Sequence, residues 1–373
     1  MTTQVLITGG AGFVGSHLAD ALLQAGYRVR VLDSLDQQVH GRRTPGYLSP
    51  DVELIIGDIR DPSVVRKALV SAEVIFHFAA AVGVGQSMYE ISRYMGANTQ
   101  GTAELLQAIL DSRSTPHKLV VASSMSIYGE GQYICDGCKR ESSPGIRSLD
   151  QLKSGEWELR CSDCGDILSP IPTREDKPSS INSVYALSKR DQEQLCLIYG
   201  RTYDIPVTAL RFFNIYGSRQ ALSNPYTGVA AIFAARLING QRPLIFEDGM
   251  QMRDFVSIRD IVRANMLAIQ HPESNGEVIN VGCGRAISVM RIAEILAGAM
   301  GKEIPPLITR KYRAGDIRHC YADLSKARRL LGYEPLVSHE QGFSELAEWL
   351  VGQQAEDKAE TMLNELVAYG LAV

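Results

Sequence analysis

Thr8-Gly9-Gly10-Ala11-Gly12-Phe13-Val14-Gly15 decides the fold of this chain, because it joins an apolar strand-like run to a helical segment. Glycines at these positions allow a tight turn and the close approach of a pyrophosphate, which then lies at the partly positive N-terminus of the helix. A glycine triplet alone is a weak signal, so it needs support from the neighbouring sequence. It predicts a set of dinucleotide-binding residues, namely Gly9, Gly12, Phe13, Val14 and Gly15.

Short apolar segments alternate with helical segments on both sides of this stretch. The predicted strands cover residues 5–8, 28–32, 53–56, 74–78, 119–122 and 207–211. Several of them are apolar without polar alternation, as in strands that are buried on both faces. The helical segments between them include residues 17–25, 98–111 and 184–199. This order predicts an α/β fold, a Rossmann-like doubly wound parallel sheet that binds its ligands at the carboxyl ends of the strands.

Two regions depart from this alternation. Residues 130–178 are polar, rich in glycine and proline, and contain two cysteine pairs, so we interpret them as an insertion. After Gly217 the alternation is looser, with predicted helices over residues 227–239 and 258–271. We therefore predict a Rossmann domain over residues 1–216, interrupted by the insertion, and a smaller C-terminal substrate-binding domain over residues 217–373.

Composition limits the classes of protein to which this sequence can belong. The chain has 373 residues, 45% of them hydrophobic and 21% charged, so it can bury ordinary cores. Its net charge of −4 offers nothing that attracts nucleic acid or an acidic membrane face. Residues 74–88, its most apolar stretch, fall short of the roughly 20 apolar residues that span a bilayer, and no secretory signal pattern opens the sequence. We predict a soluble, cytoplasmic protein.

Acidic side chains follow two of the predicted strands. Asp33 ends the second strand, where a carboxylate can accept hydrogen bonds from a ribose diol and repel a 2′-phosphate, which favours NAD over NADP. Arg42 and Arg43 in the next loop argue for NADP instead, although such loop arginines are more often solvated. Asp58 and Ile59 follow the third strand and are consistent with either an adenine contact or an ordinary strand-end turn.

Tyr185-Ala186-Leu187-Ser188-Lys189 places a phenol and an ammonium group on one face of a predicted helix. A nearby ammonium favours the phenolate, so Tyr185 is a candidate general acid/base. Tyrosine and lysine four apart also occur by chance on surface helices. A run of hydroxyl residues, Ser123 to Tyr128, follows another strand and should face the same ligand.

Together these features resemble the extended short-chain dehydrogenase/reductase family, specifically its nucleotide-sugar epimerases and dehydratases. The resemblance runs from Val5 to about Tyr333 and is interrupted by the cysteine insertion. Further motifs that carry it are His77-Phe78-Ala79-Ala80, Asn98-Thr99-Gln100-Gly101-Thr102, Arg211-Phe212-Phe213-Asn214, Arg253-Asp254-Phe255 and the segment Arg313 to Asp316.

The resemblance implies a role for each matched residue. Tyr185 is then the catalytic base, Lys189 lowers its pKa and holds the nicotinamide ribose, and Ser124 hydrogen-bonds the sugar O4. Ala79, Ala80 and Asn98 are expected at the cofactor. The expected substrate-binding residues are Ser124, Ser126, Asn214, Arg253, Arg313 and Asp316, with the arginines on the diphosphate. Family membership also implies a homodimer through the helices that contain Tyr185 and Asn98.

The residues after Ser124 indicate the reaction. Family dehydratases carry an Asp-Glu pair there and decarboxylases an acid at the second position, whereas this chain has Met125 and Ser126. Epimerisation at C4 needs no further acid, so we predict an NAD-dependent nucleotide-diphosphate-sugar 4-epimerase, with Cys320 lining the sugar pocket. Residues 220–228 are most similar to the branch that acts on dTDP-L-rhamnose, and a UDP-hexose is the other candidate substrate. The alternatives are an NAD(P)-dependent 4-ketoreductase and a cofactor-sensing regulator.

Two Cys-x-x-Cys pairs predict a metal site in the insertion, formed by Cys135, Cys138, Cys161 and Cys164. Four thiolates suit a structural zinc ion, since no position stays open for water. A redox disulfide and an iron site are the alternatives. Such a ribbon can also bind nucleic acid, but Asp136, Asp163 and Asp166 surround it and disfavour that interaction.

Overall fold

A computed structural model describes residues 2–113, 115–313 and 315–372. Its strands in chain order are β1 (Gln4–Thr8), β2 (Arg28–Asp33), β3 (Glu53–Ile56), β4 (Val74–His77), β5 (Lys118–Ser124), β6 (Gln132–Cys135), β7 (Arg140–Ser142), β8 (Leu168–Ile171), β9 (Val207–Phe212), β10 (Asn214–Tyr216), β11 (Leu244–Ile245), β12 (Met252–Ser257), β13 (Val278–Val281), β14 (Ala286–Ser288), β15 (Leu307–Ile308) and β16 (His319–Cys320).

The α-helices are α1 (Phe13–Gln24), α2 (Gln37–His40), α3 (Pro62–Leu69), α4 (Val84–Ser87), α5 (Ile91–Tyr94), α6 (Gly101–Asp111), α7 (Leu149–Lys153), α8 (Val184–Tyr203), α9 (Val229–Ile238), α10 (Ile258–Gln270), α11 (Val289–Ala299), α12 (Ser325–Leu331), α13 (His339–Leu350) and α14 (Ala359–Ala368). A π-helix, Met95–Gln100, joins α5 to α6, and 3-10 turns cover Met125–Tyr128 and Pro272–Ser274.

Seven strands form one parallel sheet in the order β3-β2-β1-β4-β5-β9-β13. The chain winds outward from β1 in one direction through β2 and β3, and in the other through β4, β5, β9 and β13. The order therefore reverses between β1 and β4, which is where ligands bind in doubly wound sheets. This confirms the predicted Rossmann-like α/β fold.

Both faces of the sheet are covered, which explains why its strands are apolar throughout. In β1, Val5 and Ile7 are fully buried beneath α1 and α10, whereas Leu6 points to the opposite face. On that opposite face α3, α6 and α8 pack together, with Leu105 and Leu197 among the buried residues. Two separate apolar cores thus fix the register of the central strands.

The second half of the chain contributes to both the main sheet and a smaller layer. Strand β13 pairs with β9, and α10 packs on α1, so both belong to the Rossmann layers. Strands β10, β12, β14 and β16 form the smaller sheet, and α9, α11 and α13 share an apolar core with it. The division into domains at residue 216 stays a prediction. Strand β13 lies after residue 216 in the chain, but it completes the main sheet of the Rossmann layers.

The predicted insertion contains its own antiparallel sheet, in the order β7-β6-β8. A small apolar cluster around Tyr133, Leu159 and Leu168 supports it. Among the helices described here, none combines the length and the apolarity that a bilayer crossing requires.

Candidate active site

The glycine turn after β1 packs so closely against neighbouring backbone that two of its glycines have no room for a Cβ. Gly9 has φ +70°, and a Cβ there would lie 2.7 Å from the backbone nitrogen of Ala79. A Cβ on Gly15 would lie 2.5 Å from the Cα of Gly10. No side chain caps the start of α1 at Gly12, so the first N–H groups of this helix face the cavity rather than a cap.

A cavity of about 910 Å³ runs from this turn across the strand ends to the smaller sheet. Nearly all the residues predicted to bind cofactor or substrate lie on its wall. They are Gly9, Gly12, Phe13, Val14, Gly15, Asp33, Asp58, Ile59, Ala79, Ala80, Ser124, Ser126, Tyr185, Lys189, Asn214, Arg253, Arg313 and Asp316. The sequence pattern therefore converges on one site at the reversal point of the sheet.

The carboxylates that end β2 and follow β3 are held differently. Asp33 accepts hydrogen bonds from the backbone N–H groups of Ala11 at 3.0 Å and Leu35 at 2.9 Å, which ties it to the glycine turn. Asp58 forms a 2.6 Å ion pair with Arg60, and this hydrogen bond lowers the pKa of Asp58. Arg42 and Arg43 are exposed and do not line the described cavity wall, as expected for solvated loop arginines.

The predicted cofactor contact of Asn98 stays a prediction, and the structure shows what this side chain contacts within the protein. This residue is fully buried in the π-helix and does not line the cavity among the residues described. Its Oδ1 accepts from Ala81 N at 2.7 Å, and its Nδ2 donates to Ala81 O at 3.1 Å and to Ser188 Oγ at 2.9 Å. Asn98 is a positioning residue that joins the loop after β4 to α8.

Helix α8 presents Tyr185 and Lys189 at the cavity because its first turn is fixed by two serines. The N-cap Ser183 accepts from Ala186 N at 3.1 Å, and Ser87 Oγ accepts from Tyr185 N at 3.0 Å. One turn later, Lys189 Nζ donates to Ala122 O at 2.5 Å and to the side-chain oxygen of Gln192.

Burial dominates the protonation of both candidate catalytic groups. It raises the pKa of Tyr185, and the neighbouring Ser124 hydroxyl opposes that rise. Burial also lowers the pKa of Lys189 to about 7. The sequence predicts a lowered pKa for Tyr185 through the Lys189 ammonium. The structure shows the opposite direction, because desolvation of the phenolate is the larger effect.

Two buried contacts behind these groups were not predicted from the sequence. Glu193 forms a bidentate ion pair with Arg211 at 2.8 and 2.9 Å and accepts from Ser123 Oγ at 2.6 Å. Gln192 Nε2 lies 2.9 Å from His77 Nε2, so Lys189 connects to a buried polar chain. In the sequence, the signal that could have identified Glu193 is its spacing, because it lies one helical turn beyond Lys189.

At the other end of the cavity, polar groups face the predicted diphosphate position. Asn214 has a buried Oδ1 without a hydrogen-bond partner among the described residues. The Arg253 guanidinium donates to three backbone carbonyls, those of Met252, Ile317 and Arg318, at 2.6 to 2.9 Å. Arg313 pairs with Asp316 at 2.7 Å and lies over the ring of Phe246. Both arginines thus have fixed guanidinium planes.

Cys320 does not lie where the sequence predicts it. It is buried, its Sγ lies 3.7 Å from Thr173 Oγ1, and it is absent from the described cavity wall. Thr173 belongs to the end of the insertion, so Cys320 packs against this segment.

The four paired cysteines meet at one point in the insertion. The four Sγ atoms lie within 4.8 Å of one another, with Cys135 and Cys164 at 3.4 Å and Cys138 and Cys161 at 3.9 Å. Cys138 N donates to Cys135 Sγ at 3.3 Å, so the first pair forms a tight turn. Four thiolates bound to zinc at 2.3 Å would be about 3.8 Å apart, so the donor set fits this metal.

Residues 5–147 and 164–282 match the NAD dependent epimerase/dehydratase family. The chain belongs to this family. It is therefore an enzyme of the epimerase kind, as the sequence predicts. The match omits only the middle of the cysteine insertion within this span.

Three similar proteins cover nearly the whole chain. The dTDP-L-rhamnose 4-epimerase of Burkholderia thailandensis is 33% identical over 354 residues, which are 93% of this chain and 94% of that protein. The UDP-glucose 4-epimerase of Thermotoga maritima, solved with UDP-glucose, has a TM-score of 0.76 at 28% identity and covers 94% and 99% of the two chains. The UDP-glucuronic acid 4-epimerase of Bacillus cereus, solved with its substrate and NAD, has a TM-score of 0.74 at 28% identity, with the same coverage.

Proposed function

We propose that this protein is an NAD-dependent 4-epimerase of nucleoside-diphosphate sugars. The observation that carries the proposal is that Ser124, Tyr185 and Lys189 line the same cavity as the glycine turn and the two arginines. The similarity to 4-epimerases over more than nine-tenths of the chain supports it. The candidate substrates are dTDP-L-rhamnose and a UDP-hexose.

The residues at the reversal point of the sheet fit NAD. Any side chain at Gly9 or Gly15 would fill the space that the backbone needs, and the first turn of α1 offers free N–H groups to a pyrophosphate. Asp33 lies at the position for a ribose diol. NAD held by these residues would supply the acceptor for the hydride of C4 and the donor for its return.

Tyr185 supplies the proton chemistry in this proposal. Its oxygen takes the proton of the 4-hydroxyl while C4 becomes a carbonyl, and Ser124 hydrogen-bonds the sugar O4. Tyr185 must enter this step as the phenolate. Burial raises the pKa of Tyr185 and opposes this ionisation, whereas the hydrogen bond with Ser124 favours it. The 4-keto sugar then turns over in the cavity, and Tyr185 returns the proton to O4. Met125 and Ser126 carry no acid that could expel water from C6, which disfavours dehydration.

Proton NMR tests the proposed reaction directly. The purified protein is incubated without added cofactor with dTDP-L-rhamnose and, separately, with UDP-hexoses. We expect anomeric signals of the C4 epimer that approach the same equilibrium from either side. Turnover that requires stoichiometric NAD(P)H would instead identify the alternative, a 4-ketoreductase.

We also propose that Cys135, Cys138, Cys161 and Cys164 hold a structural zinc ion. The spacing of their sulfur atoms and their place between β6, β7 and β8 support this assignment. Elemental analysis of the purified protein should give one zinc ion per chain, and Cys161→Ser should lose it while retaining NAD. An unchanged metal content in Cys161→Ser would contradict the assignment.

We also propose that the protein forms a homodimer through α6 and α8. We propose the cytoplasm as its location. Leu110, Leu187 and Ile198 on these helices are exposed apolar residues, which favours such an interface. Light scattering should give twice the mass of the chain, and Ile198→Glu should give the mass of a monomer.

A further inference from the structure

Side chains from three separate segments meet at one place on the wall of the cavity. Gln38 belongs to α2, Arg93 to α5, and Asn224 to the loop that follows β10, and all three line the cavity. The α2 segment comes shortly after Asp33, which is predicted at the cofactor ribose. The loop comes after Asn214, at the predicted diphosphate position. The meeting place therefore joins the cofactor end of the cavity to its substrate end.

The amide of Gln38 makes these connections. Its Nε2 donates to Asn224 Oδ1 at 2.8 Å, and its Oε1 accepts from Arg93 Nη1 at 2.8 Å. Gln38 and Gln86 also face each other through their amides, with both N–O distances at 3.2 Å. An amide has donors and an acceptor in one group, so a single side chain can hold all these partners. Gln38, Gln86, Arg93 and Asn224 form what we call the Gln38 clasp.

The Gln38 clasp also reaches the candidate catalytic tyrosine. Gln86 Oε1 accepts a hydrogen bond from the Tyr94 hydroxyl at 3.1 Å. The Tyr94 ring lies edge-on to the Tyr185 ring, with 6.3 Å between the centroids. Ser87, the residue after Gln86, accepts the hydrogen bond from Tyr185 N. The clasp thus contacts the cofactor end, the substrate end and the surroundings of Tyr185.

The clasp is polar and partly open to solvent, in contrast to the apolar cores on the two faces of the sheet. The Arg93 side chain is 34% exposed, and Gln38 is half-buried. Hydrogen bonds at such positions exchange with water at a small net cost, so the clasp can open without disturbing a core. Contacts of this kind suit a closure over a ligand that must enter the cavity and then be retained.

The proposed reaction requires such retention. The hydride that leaves C4 must come back to the same carbon, so the cofactor and the 4-keto sugar have to stay together while the ring turns over. If the cofactor leaves first, the hydride goes with it and the sugar stays a ketone.

We propose that the Gln38 clasp retains NAD and couples its release to occupation of the sugar-nucleotide end of the cavity. A nucleotide that orders the loop after β10 also holds Asn224 in place, and through it Gln38, so the α2 segment opens less often. Gln38 is then a positioning residue for the cofactor. This inference rests on the proposed 4-epimerase function and adds to it a link between its two ligands.

The rate of NAD release tests the inference. Protein loaded with radiolabelled NAD is diluted into excess unlabelled NAD, alone or with dTDP or UDP, and the label that stays on the protein is followed over time. We expect one of the two nucleotides to slow release several-fold from the unmodified protein. Gln38→Met keeps the length of the side chain and removes its hydrogen bonds. Release from this variant should be about tenfold faster or more, and the nucleotide should no longer slow it.

Gln37→Met is the matched control, because Gln37 is the exposed neighbour of Gln38 in the same short helix. It should release NAD as the unmodified protein does, with and without nucleotide. The melting temperature of each variant checks that it is folded, which is expected because Gln38 is only half-buried.

Proton NMR of the same preparations separates this inference from the proposed function. If a sugar is epimerised but Gln38→Met and Gln37→Met release NAD at equal rates, the role of the clasp is overturned and epimerisation stands. A nucleotide effect that is absent from the unmodified protein would overturn the coupling in the same way. If no sugar is epimerised, while Gln38→Met alone releases NAD faster and loses the nucleotide effect, the proposed function fails and the clasp holds.

Discussion

Lys189 shows how much a single buried group can determine at this site. Its ammonium contacts Ala122 O and Gln192, and burial lowers its pKa from the ordinary 10.5 to about 7. Lys189 therefore changes charge near neutral pH. Burial of a cation is costly, and Lys189, where α8 bears this cost, is the residue predicted to hold the nicotinamide ribose.

The pH dependence of stability follows from this lowered pKa. Between about pH 7 and 10.5 the unfolded chain binds more protons at Lys189 than the folded one does, so the free energy of unfolding rises with pH. This contribution is complete above the unfolded pKa and is lost as the pH falls through the folded pKa. Lys189→Met should reduce the slope between pH 7.5 and 9 by about 1 kcal/mol per pH unit in urea titrations.

Arg190→Met is the matched control for that measurement, because Arg190 is the exposed neighbour on the same helix. It should leave the slope unchanged. Lys118, whose pKa burial lowers to about 8, contributes in the same direction and remains in both variants. A slope in Lys189→Met equal to that of the unmodified protein would show that Lys189 keeps an ordinary pKa.

Among the elements, the π-helix is the one that departs most from expectation. Local spacing predicts the glycine turn and the Tyr185–Lys189 pair correctly, because neighbours in the chain determine both. The family resemblance predicts a cofactor contact for Asn98, which stays a prediction, whereas the π-helix and its inward contacts with Ala81 and Ser188 have no signal in the local sequence. Cys320 contacts Thr173, which lies far away in the sequence. Such tertiary contacts leave no signal in local periodicity.

Substitution of Asn98 tests the role of the π-helix. Asn98→Leu keeps the volume but removes hydrogen bonds to the backbone of Ala81 and to Ser188. We expect the free energy of unfolding to fall by about 2 to 4 kcal/mol, because buried backbone groups lose their partners. NAD affinity should fall as well, since Ala81 lines the cavity. The control is Gln100→Leu, an exposed residue of the same π-helix; a similar loss there would indicate a nonspecific effect on the helix.

Across the whole molecule, a buried ionic cluster joins the insertion to the substrate end of the cavity. Arg318 is 1% exposed and forms ion pairs with Glu247, Asp248 and Glu158 at 2.5 to 2.9 Å. Glu158 comes from the insertion. The backbone carbonyl of Arg318 accepts a hydrogen bond from Arg253, so the cluster holds one of the arginines predicted to bind diphosphate.

Arg147 extends this cluster from the insertion side. It donates to Glu247 at 2.8 Å and to Asp316 O at 3.0 Å, and Asp316 is the partner of Arg313. The insertion is thus part of the support for both arginines that are predicted to bind the diphosphate, while the glycine turn lies on the far side of the cavity. Substitutions in the insertion should therefore change the affinity for the sugar nucleotide and leave the affinity for NAD unchanged.

Arg147→Met tests this division of the molecule. It leaves Glu247 buried with one cationic partner fewer, so the free energy of unfolding should fall by about 3 to 5 kcal/mol. The KM for the sugar nucleotide should rise several-fold while the Kd for NAD, measured by fluorescence titration, stays the same. Arg160→Met, at a half-exposed arginine of the same insertion, should change neither quantity. Equal losses of NAD and sugar affinity in Arg147→Met would mean that the cluster supports the whole fold. Only a cluster that supports the substrate end alone can change the affinity for the sugar nucleotide without changing the affinity for NAD.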